Sequence, residues 1–296
     1  MALDYRRCTL CPRQCGVDRT AGQLGYCRMP AQLRAARAAA HYWEEPVISG
    51  ERGSGAVFFS GCTLRCRYCQ NYEISALGNG VPLSSARLRE VFERLLAEGA
   101  HNVNLVTPTQ FLPDILPALT PKLPAPVVYN CGGYERVETL RALEGLVDVW
   151  LPDLKYSDNA LARRLSGAGD YVQTAQAAIL EMYRQTGPCV VEDGLLKRGV
   201  LIRHLILPGQ LDNSLGVLDW IARSFPRGSV AVSLMSQYTP AGPAKTEPPF
   251  DRRITREEYD AALSWLYLDG LTEGYAQGPE AASLDFVPDF DGTGII

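Results

Sequence analysis

The side chains of this sequence best suited to chemistry are three cysteines within eight residues, Cys62, Cys66 and Cys69, in the run AVFFSGCTLRCRYCQN at 56–71. Cysteines this close in one loop rarely reach disulfide geometry, and an odd one would be left over. As thiolates they are soft metal ligands, suited to a zinc ion or to an iron–sulfur cluster. Three thiolates can hold three irons of a four-iron cluster, which leaves the fourth iron open to a small molecule. The apolar run just before them reads as the end of a strand, so the ligand loop is launched from a rigid element.

A second group, Cys8, Cys11, Cys15 and Cys27, lies in CTLCPRQCGVDRTAGQLGYC. Four soft ligands with Gly22 and Gly25 between them can close a coordination shell, either around a structural zinc or as a second, electron-relaying iron–sulfur cluster. A segment this short and loop-rich needs such a centre in order to fold. Seven of the nine cysteines fall in these two groups, which favours metal ligation in a reducing, cytoplasmic setting over a disulfide scaffold. Cys131 and Cys189 stand apart and read as buried thiols, with Cys131 close enough to the site to be a candidate for chemistry.

Composition sets further bounds. The 296 residues, 46% of them hydrophobic, can bury one large core with a small appendage. The net charge of −4 argues against a general nucleic-acid binder, and neither a signal segment nor an apolar run of membrane-spanning length is present. Residues 1–40 are the local exception, with seven arginines against Asp4 and Asp18. Guanidinium groups there would offset the charge of a tetrathiolate centre.

From residue 56 onward, apolar strands alternate with helical patterns, the signature of a parallel sheet built from βα units. Six strands are predicted, at 56–60, 102–107, 126–131, 147–154, 200–207 and 229–236. Helices are predicted at 134–144, 159–165, 171–185, 214–224 and 255–268, with the clearest stripe at Leu88, Val91, Phe92, Leu95 and Leu96 behind the caps Ser84 and Ser85. Six units are two short of a closed eight-stranded barrel. The expectation is therefore an α/β fold, a partial (βα)6 barrel whose chemistry lies in the loops at the carboxyl ends of its strands. Residues 1–50 form the cysteine module and a wrap, 51–270 the barrel, and 271–296 an irregular tail over its mouth.

The triplet spacing, Tyr68 before the last cysteine, and the flanking Gly61 and Asn71 resemble the radical SAM superfamily. Within it the chain is similar to the pyruvate formate-lyase activating enzyme group, in a branch with an extra N-terminal cysteine module. The resemblance implies a 4Fe–4S cluster on Cys62, Cys66 and Cys69, with S-adenosyl-L-methionine chelating the open iron and cleaved reductively to a 5′-deoxyadenosyl radical. It also implies an electron donor such as flavodoxin or ferredoxin, and a protein or peptide substrate, as in activation of a glycyl radical enzyme. No nucleic-acid or membrane partner is expected.

Such an enzyme must hold the adenosyl group rigidly, so polar groups should recur at successive strand ends. They are Thr107 and Gln110, Asn130, Asp153 and Lys155, Arg203, and Gln237. Asp153 and Lys155 alternate with strand period and should share a face. By resemblance Lys155 meets the cofactor carboxylate, Arg203 supports the cofactor and Tyr68 flanks the adenine. Asp153 with its neighbours would form a cation site, in which Asn130 stands where an aspartate is usual. The Gly-Gly-Glu that grips the cofactor's amino group in activating enzymes is replaced by VTPTQ, leaving Thr107 and Gln110 in its place. His41 and His204 read as packed histidines, the second outside the barrel. The same residues admit two other readings: a maturase acting on another residue of a peptide or protein, and a non-catalytic iron–sulfur electron carrier. A carrier would have four ligands at its cluster and no use for Lys155 or Arg203.

Overall fold

A computed structural model describes residues 3–272, 274–278 and 287–296. The chain enters through the cysteine loops and forms β1 (Arg34–His41), the short helix α1 (Pro46–Ser49), β2 (Ser54–Phe59), α2 (Tyr72–Ser75), β3 (Val81–Pro82) and α3 (Ser85–Ala97). There follow β4 (Val103–Val106), α4 (Leu112–Ala118), β5 (Val127–Cys131), α5 (Val137–Arg141), β6 (Val149–Pro152), α6 (Asn159–Ser166) and α7 (Tyr171–Thr186). The hairpin β7 (Val190–Glu192) and β8 (Leu195–Leu205), then α8 (Leu211–Ser224), β9 (Ala231–Met235), α9 (Arg256–Leu268) and β10 (Gly274–Ala276) complete it.

The strands lie in the order β10-β9-β8-β6-β5-β4-β2-β1-β3, with every pair from β2 to β10 parallel. This is the expected partial barrel. Its helices form where the sequence marks them. Leu88, Val91, Phe92 and Leu95 of α3 are buried behind Ser84, whose hydroxyl accepts from the Arg87 amide. Thr255 and Glu258 close a capping box on α9, and Gly167 ends α6 in the left-handed conformation.

Three differences from the sequence expectation bear on the site. Residues 34–41, read as part of a wrap, are a strand antiparallel to β2; RAARAAAH has little intrinsic preference for extended structure, but β2 is buried along its whole length and would otherwise leave an unpaired edge. The tail at 271–296 is not wholly irregular, since β10 adds a parallel strand beside β9; that strand needs Gly274, because a Cβ there would collide with the Val232 carbonyl. The rest of the tail from 279 to 286 lies outside the described residues. Finally, α5 is shorter than expected, and α4, with Pro117 inside it, has no clear apolar period to announce it.

The antiparallel run of β1 places His41 opposite Ser54, at the start of β2 and so at the barrel end remote from the cysteine loop. The chain then turns inward. Ile48 of α1 packs among Val128, Val149, Leu151 and Leu201, residues on the inner face of three strands. The segment from Glu44 to Ser49 thereby plugs the lower end of the barrel. Among the described residues no helix is long and apolar enough to cross a membrane.

Candidate functional site

Above the plug lies a cavity of about 250 Å³, reaching from the floor of the barrel to the cysteine loop. Cys62, Cys66 and Cys69 line it, as do Tyr68, Thr107, Asn130, Asp153, Lys155, Arg203 and Gln237. The ten residues chosen from the triplet and the strand ends thus meet around one space. Gln277, Val287 and Pro288 of the tail border it as well.

Each thiol of the triplet receives a hydrogen bond. The Leu64 amide donates to Cys62 Sγ at 3.4 Å, the Ser166 hydroxyl to Cys66 Sγ at 3.0 Å and the Ser75 hydroxyl to Cys69 Sγ at 3.3 Å. Ser166 Oγ is in turn 2.6 Å from Tyr156 OH, which donates to Tyr68 OH at 3.0 Å. Burial, with Cys66 adding to it, pushes the Cys62 thiol up to about 12, and burial raises Cys69 too. Three adjacent thiolates would repel one another, so the set ionises together only when a cationic centre compensates it. Donors aimed at sulfur are what a reducible cluster uses to hold added negative charge. The donor set therefore fits an iron–sulfur cluster. Cys131 also borders the cavity, but its charged neighbours are Glu135, Asp153 and Arg203 on the strand side; burial holds its thiol well above the usual range.

The strand ends carry a closed charge network. Sheet register sets Asp153 opposite Arg203. Arg203 donates through Nε to Asp153 Oδ1 at 2.9 Å, through Nη1 to Glu44 Oε2 at 2.9 Å and through Nη2 to Asn130 Oδ1 at 2.6 Å. Lys155 Nζ meets Asp153 Oδ2 at 2.6 Å, and Glu44 Oε1 accepts from the amides of Asn104 and Asn130. Burial pushes the Asp153 carboxyl up, but Arg203 and Lys155 outweigh it and hold it below the usual carboxylate range. Arg203 is thus occupied by acids. Lys155, beside Cys66 and Cys69, is the cation nearer the cysteine loop. Glu44 and Glu45 escaped the sequence reading, because they precede a four-residue helix in a stretch without periodicity.

Gln110 is placed differently from its expected role. It does not border the cavity; its amide donates to the carbonyls of Ser60, Gly61 and Thr107, tying the cysteine loop to the end of β4. Glu135 likewise turns away, bonding Thr109 at 2.7 Å near Cys11, where burial pushes its carboxyl up to about 8. His204 lies outside the lumen as expected, bridging the Leu154 carbonyl and Ser214 of α8.

The N-terminal thiols do not reach the cavity, yet their module grips its loop. Gly61 allows the approach, since a Cβ there would press on Met29 and the Cys27 carbonyl. Arg13 donates to the carbonyls of Thr63 at 3.0 Å and Ser166 at 2.8 Å, so one module residue touches both the cysteine loop and the residue that bonds Cys66. Arg19, fully buried, donates to the Met29, Pro30 and Gln110 carbonyls and passes 3.9 Å from Cys8 Sγ. Among the described residues no three Cys, His, Asp or Glu side chains lie close enough to enclose a single metal ion.

The family profile described as the radical SAM superfamily matches residues 56–221, from the first barrel strand through α8. The chain belongs to the radical SAM superfamily. A relative in sequence, an uncharacterized protein of Methanocaldococcus jannaschii, is 30% identical over 270 residues, 88% of this chain and 74% of that protein. Among solved structures the chain is similar to methylornithine synthase, with TM-score 0.47 and 14% identity over 73% of this chain and 68% of that one. It is also similar to Streptococcus suis SuiB bound to S-adenosylmethionine, with TM-score 0.49 and 12% identity over 73% of this chain and 48% of SuiB. Membership in the radical SAM superfamily implies a 4Fe–4S cluster and S-adenosylmethionine as cofactors.

Proposed function

We propose that this radical SAM enzyme holds its cluster on Cys62, Cys66 and Cys69 and takes a hydrogen atom from a protein or peptide, a backbone glycine in the manner of glycyl radical enzyme activation. The observation that carries the reading is the convergence of three hydrogen-bonded thiols and the Lys155 ammonium on one cavity. Cys62, Cys66 and Cys69 would hold the cluster, which would supply the one electron needed for reductive cleavage of S-adenosylmethionine to methionine and a 5′-deoxyadenosyl radical.

The chain's own residues do the rest. Lys155 presents a cation to the cofactor's carboxylate, with Asp153 fixing its rotamer. Tyr68, held through Tyr156 and Ser166, fixes the wall on which the adenine rests. Thr107 and Gln237 border the same space, and Arg203, itself held by Asn130, orients Asp153. The plug at 44–49 and the tail at 287–288 restrict water, which protects a reactive radical. A flavodoxin or ferredoxin in the cytoplasm would supply the electron. The four N-terminal thiols are proposed to hold a second metal centre, a zinc or another iron–sulfur cluster, around which they would draw together, since as they stand no three of them enclose a single ion.

Anaerobic reconstitution, reduction and addition of S-adenosylmethionine test this reading. Release of 5′-deoxyadenosine is expected, and it should vanish in Cys62→Ala, Cys66→Ala and Cys69→Ala. Deuterium passing from a labelled candidate protein into 5′-deoxyadenosine would name the substrate. Retained cleavage in the triplet variants overturns the assignment.

A further inference from the structure

The charge network at the strand ends leaves one acid over. Arg203 and Lys155 are matched one for one by Glu44 and Asp153, through the contacts of 2.6–2.9 Å already described. Glu45 borders the same cavity and is 3% exposed, yet it has no counterion of its own. Its Oε2 atom is buried without a hydrogen-bond partner. His41, also on the cavity wall, supplies no charge, because burial and the nearby Arg203 and Arg37 push its imidazole down to about 4. Arg203 attracts the Glu45 carboxylate but makes its ion pairs with Asp153 and Glu44, and Glu44 repels it.

A buried carboxylate without a partner is costly, and burial raises the Glu45 carboxyl above its usual range. Native folds rarely leave such an atom unmatched without a use for it. Beneath it the inward-facing Asn104 Oδ1 is unmatched as well, while the Ser233 hydroxyl lies against the Glu45 carboxyl without closing a well-formed bond. The carboxylate and amide oxygens are acceptors and the Ser233 hydroxyl supplies one donor at most, so the floor of the barrel has room for a further donor, and its surplus acid asks for a positive one.

We propose that Glu45 is a substrate-binding residue, and that the barrel floor is a subsite for an organic ammonium group carried by the molecule that loses the hydrogen atom. The proposal rests on this cavity being the place of hydrogen abstraction, and adds what the substrate must bear. The site lies at the barrel end opposite the cysteine loop, so a substrate anchored there extends upward toward the cofactor. For a peptide substrate the anchor is a lysine side chain; for a diffusible one it is a free amine.

The test uses reconstituted protein saturated with S-adenosylmethionine, titrated calorimetrically with n-butylammonium and with n-butanol, a neutral probe of the same size. The ammonium is expected to bind at least tenfold more tightly, and Glu45→Gln is expected to abolish the difference. Equal affinities in the wild type, or a difference that survives Glu45→Gln, overturn the proposal. Should Glu45→Gln fail to fold, the wild-type comparison still decides. Nα-acetyl-lysine methylamide and cadaverine, run as competitors, separate the two sources: the one that displaces butylammonium at lower concentration identifies its class, and displacement by neither refutes the subsite. Release of 5′-deoxyadenosine from the same wild-type preparation without amine reports separately on the cofactor reading.

Discussion

Replacing Arg203 with methionine removes the one cation that touches Glu44, Asp153 and Asn130 together. The side chains involved are 14%, 8% and 16% exposed for Arg203, Glu44 and Asp153, so solvent screening offers little relief. Breaking one buried pair by deleting a partner costs about 3–5 kcal/mol. Here two carboxylates lose a partner and Lys155 remains for only one of them, which places the loss near the top of that range, about 5 kcal/mol. In a chain of this size that lowers the melting temperature by about 10 °C. The pH dependence gives a second reading. Asp153 is held below its usual range in the fold, so its contribution is full above the unfolded value of 3.8 and disappears as pH falls through the depressed one. The gap between wild type and variant is therefore widest at neutral pH and narrows below about pH 4. Melting curves from pH 7 down to about 3.5 measure it, with Arg203→Met combined with Glu44→Gln recovering part of the loss. A loss below about 1 kcal/mol, or a gap that stays constant with pH, would refute the account of a closed network.

Three further outcomes are expected. Ser166→Ala removes the hydroxyl donor to Cys66 and should move the cluster potential to more negative values in a redox titration while iron content stays constant. His204 is held neutral by burial at about 4, so from pH 6.5 downward the unfolded chain takes up a proton that the fold refuses; stability should fall by up to about 3 kcal/mol, and His204→Gln should flatten that slope in denaturant titrations. Cys8→Ala tests the proposed N-terminal centre: elemental analysis should show metal lost relative to the wild type with the iron on the triplet retained, and the melting temperature should fall.

Much of the fold was legible because its signals are local. Leu88, Val91, Phe92 and Leu95 repeat with helical period, and the barrel strands from Val103 to Met235 are apolar runs between turn residues, so both could be placed without tertiary information. The edge strand Arg34–His41 was not legible, because alanine carries no extended preference and the strand exists to cover β2. Nor was β10, three residues long and dependent on one glycine.

The site divides in the same way. Spacing alone identified Cys62, Cys66 and Cys69, since eight residues of loop keep their thiols together in any compact fold. Period-two alternation set Asp153 and Lys155 on one face, and both line the cavity. Sequence could not join Ser166 to Cys66 across 100 residues, or bring Glu44 to Arg203 across 159. Those contacts depend on how far the sheet curls and on which register β6 and β8 adopt, and neither is written in the neighbours of any single residue. Short-range pattern therefore determined which groups could do the chemistry, and closure of the barrel decided which charges are balanced and which acid is left to meet a ligand.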